Sequence, residues 1–290
     1  MKVTFWGVRG SFPVSLPDSV RYGGNTPCVE VVAGSTTIII DAGTGIRAAG
    51  QDLLERGVTA VDLLLSHPHW DHLQGFPHFP LLHTEGARIA VRSLRRGDCD
   101  LREIFAAQQR PPYFPVALDQ VAATVTFEEI PEGQPFAVGE ATVCCRQLNH
   151  PGVAGGFRID HGGAVFTYIC DADVYGELLL AGEVPVASEA DRQRRLGELR
   201  DAARDLGHRA DLLACDTFFL PEEYQPDWGH GRPDDALRLG TEAGARRVAL
   251  FHHRPGRSDD QLDRVLERYR ALADGRLELV AAREGLQVTL

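Results

Sequence analysis

The feature that most constrains this chain is the segment His67-Pro-His-Trp-Asp-His72, which begins one residue after a short strand-like run, Val61–Leu65. Three imidazoles and a carboxylate in six residues suit zinc, manganese or iron better than calcium, which prefers an all-oxygen shell. A regular helix would scatter these side chains around its axis. A strand would send His67, His69 and Asp71 to one face and His72 to the other. A turn from strand into helix can fan all four toward two neighbouring points. The chain therefore needs a fold in which buried strands end together at one open edge, where other strand ends can supply the remaining ligands.

The rest of the sequence supplies such strands. Lys2–Gly7 reads as a strand and is followed by a turn-rich stretch to Asn25. Cys28–Ala33 and Thr36–Ile40 read as a β-branched hairpin joined at Gly34-Ser35. Ile46–Arg56 has a helical pattern, with Gly57 placed to end it. Arg88–Ser93 is strand-like, and Leu101–Gln108 is helical up to Pro111-Pro-Tyr-Phe-Pro115. Apolar residues alternate through Val121–Ile130 and Phe136–Leu148. Val165–Ile169, Asp211–Ala214 and Arg247–Phe251 read as short buried strands, and Arg276–Val280 and Gly285–Leu290 as strand-like. Asp191–Gly207 is an amphipathic surface helix, and another is expected around Asp234–Ala243. Strands dominate the first half and βα alternation the second, so the expected class is an α/β sandwich in a single domain spanning 1–290.

Three of these strand ends offer ligands. His150 follows Thr142–Leu148, Asp171 follows Val165–Ile169, and His252-His253 follows Val248–Phe251. A two-metal site then assembles on paper. His67, His69 and His150 take one ion, and Asp71, His72 and one of His252 or His253 take the other. Asp171 bridges, and a water or hydroxide fills the remaining shared position.

This constellation resembles the metallo-β-lactamase superfamily of metal-dependent hydrolases. The resemblance rests on His67-Pro-His-Trp-Asp-His72, then His150, Asp171 and His252 in order, and covers nearly the whole chain. It implies a four-layer αββα sandwich, with Asp41 of Asp-Ala-Gly-Thr-Gly45 supporting the ligands from behind. Within the superfamily the chain is most similar to the phosphodiesterase branch, which includes transfer-RNA 3′-end endonucleases (tRNase Z) and cyclic-nucleotide phosphodiesterases. The carriers are Leu212-Leu-Ala-Cys-Asp216, then Trp228-Gly-His230-Gly, then Val248-Ala-Leu-Phe-His252. That match implies His252 rather than His253 as the ligand, His230 as general acid for the leaving oxygen, and Asp216 holding its imidazole. Asp71 joins these two among the residues expected to be catalytic. The resemblance also implies two divalent ions, with zinc ahead of manganese or iron, and a homodimer.

Composition narrows the substrate. The 290 residues carry a net charge of −11, and Lys2 is the sole lysine. Phosphate neutralisation supplies most of the affinity for long nucleic acid, so an acidic chain is a poor fit to a large RNA. The RNA-processing enzymes carry a Pro-Lys-Arg-Asn type motif and a Gly- and Lys-rich arm, and neither is present here. Gly7-Val-Arg-Gly-Ser11, Tyr22-Gly-Gly-Asn-Thr26 and Pro111–Pro115 instead resemble a bacterial subgroup of cyclic-nucleotide phosphodiesterase-like hydrolases. The expectation is a 3′,5′-cyclic mononucleotide phosphodiesterase, with Arg9, Asn25 and Thr26 toward the phosphate and Tyr113 and Phe114 stacking on the base. The alternatives are an RNA 3′-end endonuclease, a lactone or thioester hydrolase, and a non-enzymatic sensor on the same scaffold. With no run of about 18 apolar residues and no leader-like segment, a cytoplasmic protein without a membrane span is expected. Six cysteines without a C-x-x-C pair then read as buried thiols.

Overall fold

The computed structural model describes residues 1–97, 99–181 and 187–290. Fourteen strands among these residues form two seven-stranded sheets. The first holds β1 (Lys2–Gly7), β2 (Cys28–Ala33), β3 (Thr36–Ile40), β4 (Ala60–Leu65), β5 (Arg88–Leu94), β6 (Thr124–Ile130) and β14 (Gln287–Thr289), in the order β14-β1-β2-β3-β4-β5-β6. The second holds β7 (Phe136–Val138), β8 (Ala141–Gln147), β9 (Gly155–His161), β10 (Ala164–Ile169), β11 (Leu212–Asp216), β12 (Arg247–Phe251) and β13 (Glu278–Ala281), in the order β13-β12-β11-β10-β9-β8-β7. Each sheet has an antiparallel hairpin portion and a parallel portion. The parallel runs are β3 to β6 and β10 to β13.

Both faces of each sheet are covered, which explains the dense apolar runs in the central strands. In β3, Ile38 and Ile40 point into the core between the sheets, where Phe5, Phe157, Phe166, Tyr168 and Phe251 pack. Ile39 points the other way, into a layer with α1 (Ile46–Glu55) and α3 (Leu101–Gln108). On the far side, Leu213, Val248 and Leu250 pack against α4 (Glu189–Gly207), α5 (Pro233–Ala243) and α6 (Asp259–Ala273). The result is the expected four-layer αββα sandwich.

Helix boundaries follow local chemistry. Ser188 caps α4 by accepting from the Asp191 N–H, and Asp100 caps α3 through the Arg102 and Glu103 N–H groups. Four details depart from the sequence reading. Asp62 interrupts the β4 run and is satisfied at the partly exposed edge by Arg92. The alternating stretch Phe136–Leu148 divides into β7 and β8 at Gly139, whose φ is +53°. The strand β9 and helix α6 are additional elements. Cys99 and Cys144 are only partly buried. Among the described residues no helix is long and apolar enough to cross a membrane.

Parallel strands all point their carboxyl ends the same way, and the two parallel runs face each other. The ends of β3, β4, β10, β11 and β12 therefore open on one edge of the sandwich, where α/β sheets place their ligands.

Candidate metal centre

Three site residues sit within two residues of a strand end in the left-handed backbone region: Asp41 (φ +62°), Asp171 (φ +50°) and His252 (φ +58°). Side-chain-bearing residues avoid this region, and such conformations cluster at functional sites. Here the sharp turn stops each strand and presents the side chain at the open edge. The His67–His72 segment reaches the same edge differently, leaving β4 as a loop and entering the short helix α2 (Trp70–Leu73).

The donor atoms fall into two groups that share Asp171. In one, Asp171 Oδ2 lies 3.5 Å from His67 Nε2 and 3.6 Å from His150 Nε2, and His150 Nε2 lies 3.0 Å from His69 Nδ1. In the other, Asp171 Oδ1 lies 3.2 Å from His72 Nε2 and 3.1 Å from His252 Nε2. Asp71 Oδ2 completes it, 3.4 Å from His72 Nε2 and 3.2 Å from His252 Nε2. A tetrahedral ion with bonds near 2.0–2.1 Å has ligand–ligand edges of about 3.3 Å, and these separations match such edges. His67 Nε2 and His72 Nε2 are also buried without a hydrogen-bond partner. Orphaned nitrogens are costly unless something else satisfies them, so this donor set fits two divalent ions.

The electrostatics agree at His67 and His150. A ligand imidazole must be neutral, and burial pushes His67 well below its usual value and His150 down to about 4. Burial would raise Asp71 and Asp171, but the surrounding imidazoles outweigh it and hold both carboxyls far below the carboxylate range. His72 is the converse case. Burial opposes its charge, and Asp171, Asp71 and Asp41 override it and lift the ring well above its usual value.

Behind these two donor groups stands Asp41, fully buried. It accepts from His72 Nδ1 (2.7 Å), Ser66 N (2.8 Å), Ser66 Oγ (2.9 Å) and the Tyr168 hydroxyl (2.7 Å). That network fixes the tautomer and plane of His72. His150 Nδ1 is likewise fixed by donating to the Gly229 carbonyl (2.9 Å), and the Ser11 N–H donates to Asp71 Oδ2 (2.7 Å). Two glycines keep the edge open. A Cβ on Gly10 would stand 2.5 Å from His252 Cε1, and one on Gly229 (φ +75°) would stand 2.6 Å from His150 Nδ1. His253, in contrast, turns away and bonds the Ala282 carbonyl through Nε2 (2.8 Å).

Beside the second group, His230 Nδ1 meets Asp216 Oδ2 at 2.9 Å, and the ring stacks on Phe218 at 4.5 Å between centroids. Burial alone would depress this imidazole. Asp216 and Asp171 overcome it and carry the ring up to about 9.

The residues expected at the substrate are placed unevenly. Arg9 is fully buried and its guanidinium is spent inside the protein, on the carbonyls of Gly23 (2.8 Å) and Arg257 (2.6 Å), with Asp259 3.7 Å away. It braces the loop and is not presented to a phosphate. Asn25 Nδ2 donates to Glu284 (3.0 Å), and buried Thr26 exchanges hydrogen bonds with Thr44. Both hold turns. Tyr113 and Phe114 do line a cavity, next to Pro68 and Trp70, which flank His69. The sequence reading missed Ser66, Tyr168, Gly10 and Phe218. Gly10 lies inside a segment already singled out and Ser66 and Phe218 adjoin others, whereas Tyr168 carries no local signal.

The beta-lactamase superfamily domain matches residues 36–186, just over half of the chain. The chain belongs to the beta-lactamase superfamily. It is a metal-dependent hydrolase of the metallo-β-lactamase fold. Ribonuclease Z from Salinispora arenicola (strain CNS-205) is 26% identical over 245 residues, covering 74% of this chain and 75% of that protein. Among solved structures, the metallo-beta-lactamase fold protein YhfI from Bacillus subtilis is similar with a TM-score of 0.69 at 18% identity, covering 99% of this chain and 98% of its own. Human tRNase Z, short form, reaches 0.65 at 17% identity, covering 100% and 99%. These two structures share the superfamily fold.

Proposed function

We propose that this superfamily member hydrolyses the phosphodiester of a small nucleotide, with a 3′,5′-cyclic mononucleotide as substrate and His230 protonating the leaving oxygen. The observation that carries the reading is the Asp216–His230 pair beside the two donor groups. Hydrolysis at carbon of a lactone has less need of a separate acid, whereas expulsion of an alkoxide from phosphorus needs a proton delivered to it.

His67, His69 and His150 with one oxygen of Asp171 would hold one divalent ion, and Asp71, His72 and His252 with the other oxygen a second. Zinc is the first choice for such donors, and two bound ions would supply charge neutralisation on phosphate and an activated water. The chain's own residues do the rest. Asp216 accepts from His230 Nδ1, which leaves Nε2 for the leaving oxygen and keeps the ring charged until that proton is given up. Phe218 holds the ring plane. The cavity at Trp70, Tyr113 and Phe114 is about 510 Å³, in the range of small-ligand sites, and would take the base. The net charge of −11 favours a small substrate over a long RNA. A second reading, cleavage at an RNA 3′ end, is favoured by the ribonuclease Z relative.

The test is hydrolysis of cyclic AMP, GMP, CMP and UMP, bis-p-nitrophenyl phosphate, a pre-transfer RNA and a simple lactone, with zinc or manganese, by the wild type and by His230→Ala. Cyclic-nucleotide turnover that falls at least a hundredfold in the variant is the expected result. Transfer-RNA cleavage with a steep salt dependence would select the second reading. Lactone turnover that survives His230→Ala would reject both.

A further inference from the structure

The cavity beside the metal centre contains a polar group that nothing in the protein uses. Gln108, the last residue of α3, lines it and is only 7% exposed. Neither its amide nitrogen nor its amide oxygen has a hydrogen-bond partner. Buried carboxamides are almost always satisfied, and one without a partner at either amide atom, in a residue that lines a cavity, points to a ligand. Gln74 also lines the cavity, but its amide nitrogen is engaged with Thr26 Oγ1 (3.3 Å), and the other walls are mostly aromatic or apolar. Trp70 and Tyr113 are largely exposed at the rim, His78 packs edge-on against Phe114 at 5.4 Å, and Pro77 closes one side. Trp70 also opens α2, the short helix that carries Asp71 and His72, so this wall adjoins the metal centre.

We propose that Gln108 is a specificity-determining residue that reads the hydrogen-bonding edge of a nucleobase stacked in this cavity. This rests on the phosphodiesterase reading above. The chemistry required is a planar π face for the rim aromatics and an adjacent donor and acceptor for the amide. A nucleobase edge offers both, and Gln pairs with such an edge in bidentate fashion. Because both ends of the amide are free, it can flip. It therefore accepts the donor–acceptor order of adenine or cytosine and the reverse order of guanine or uracil. Gln108 separates bases from plain aryl groups and not one base from another.

A cyclic mononucleotide and the 3′ end of an RNA present the same base, so both are assayed. The metal-loaded enzyme and Gln108→Leu are compared on the four cyclic nucleotides, a pre-transfer RNA and bis-p-nitrophenyl phosphate, whose aryl rings stack but offer the amide no adjacent donor and acceptor. The expected result is a KM for the base-bearing substrate raised roughly ten- to a hundredfold, kcat within about twofold, and unchanged turnover of the aryl diester, which also certifies that the variant folds. Whichever base-bearing substrate shows the loss identifies the source of the base. Quenching of tryptophan fluorescence by nucleoside monophosphates, weakened in Gln108→Leu, reads the same contact without turnover. If the wild type turns over nucleotides and Gln108→Leu does so with the same KM, this inference fails and the phosphodiesterase reading stands. If the wild type cleaves only the aryl diester, both fail.

Discussion

Tyr168→Phe tests whether the Asp41 network holds the metal centre from behind. Tyr168 lies on β10 in one sheet and Asp41 follows β3 in the other, so their 2.7 Å hydrogen bond crosses the core. Burial, and then Asp41 itself, pushes the phenol well above its ordinary value, so it stays a donor at every usable pH. Phenylalanine keeps the ring and its packing and removes one oxygen. Asp41 then has three donors instead of four at a fully buried position. A hydrogen bond to a charged group contributes about 1.5–3 kcal/mol. With about 2 °C per kcal/mol for a chain of this size, the melting temperature of the metal-stripped protein should fall by roughly 3–6 °C. The looser carboxylate should also let His72 turn, and loss of such a supporting partner weakens metal binding about ten- to a hundredfold. The assays are thermal unfolding of chelator-stripped protein and metal titration against a competing chelator. Asp41→Asn should cost more than Tyr168→Phe, and the double variant should cost less than the sum of the two, because both changes act on one network. A Tyr168→Phe melting temperature within 1 °C of wild type, with unchanged metal affinity, would show that the four-donor carboxylate is not what positions His72.

Two further outcomes follow from the geometry. Gly10→Ala would place a methyl 2.5 Å from His252 Cε1 and displace that ring; a ligand shift near 1 Å should lower kcat/KM about a hundredfold. Gly57→Ala, at φ +73° with nothing within 4 Å, should lower stability yet leave kcat/KM intact. Equal activity of the two variants would remove the steric argument. Asp216→Asn strips the nearer carboxylate from His230. Since Asp216 and Asp171 raise the imidazole against burial, its loss moves the protonated form to lower pH. The alkaline limb of kcat should therefore shift down by about 1–3 units, and a pH–rate profile superimposable on wild type would contradict the acid role.

The parts of this fold that were legible share one property: the signal was local. Ile38–Ile40 and Val248–Phe251 are apolar because both faces of their strands are covered, and a ligand at the end of such a run is visible without knowing its neighbours. His67–His72 is the extreme case. The strand β9 escaped because Arg158 and Asp160 break its apolar pattern while forming an ion pair with each other. Arg9 was misplaced for a deeper reason. An arginine in a glycine-rich turn looks solvated, and its burial depends on the Arg257 carbonyl and the Asp259 carboxylate some 250 residues away, which no local pattern reveals. Tyr168 was hidden in the same way, as one more aromatic in a core strand whose hydroxyl gains meaning only when the other sheet delivers Asp41. Gln108 looked like the polar end of an amphipathic helix, and its orphaned amide is a property of the folded cavity alone.

The left-handed turns at Asp41, Asp171 and His252 carry a consequence for anyone engineering this protein. Each strained residue costs on the order of 1–3 kcal/mol, which together is a sizeable share of the 5–15 kcal/mol that holds an ordinary domain folded. Glycine would relieve that strain at all three positions, and each replacement would remove a residue of the proposed metal centre. A library screened for heat resistance alone would thus be drawn toward the metal centre and would enrich robust proteins that no longer catalyse. Thermostabilised forms should be sought at the opposite end of the sandwich, with activity measured in every round.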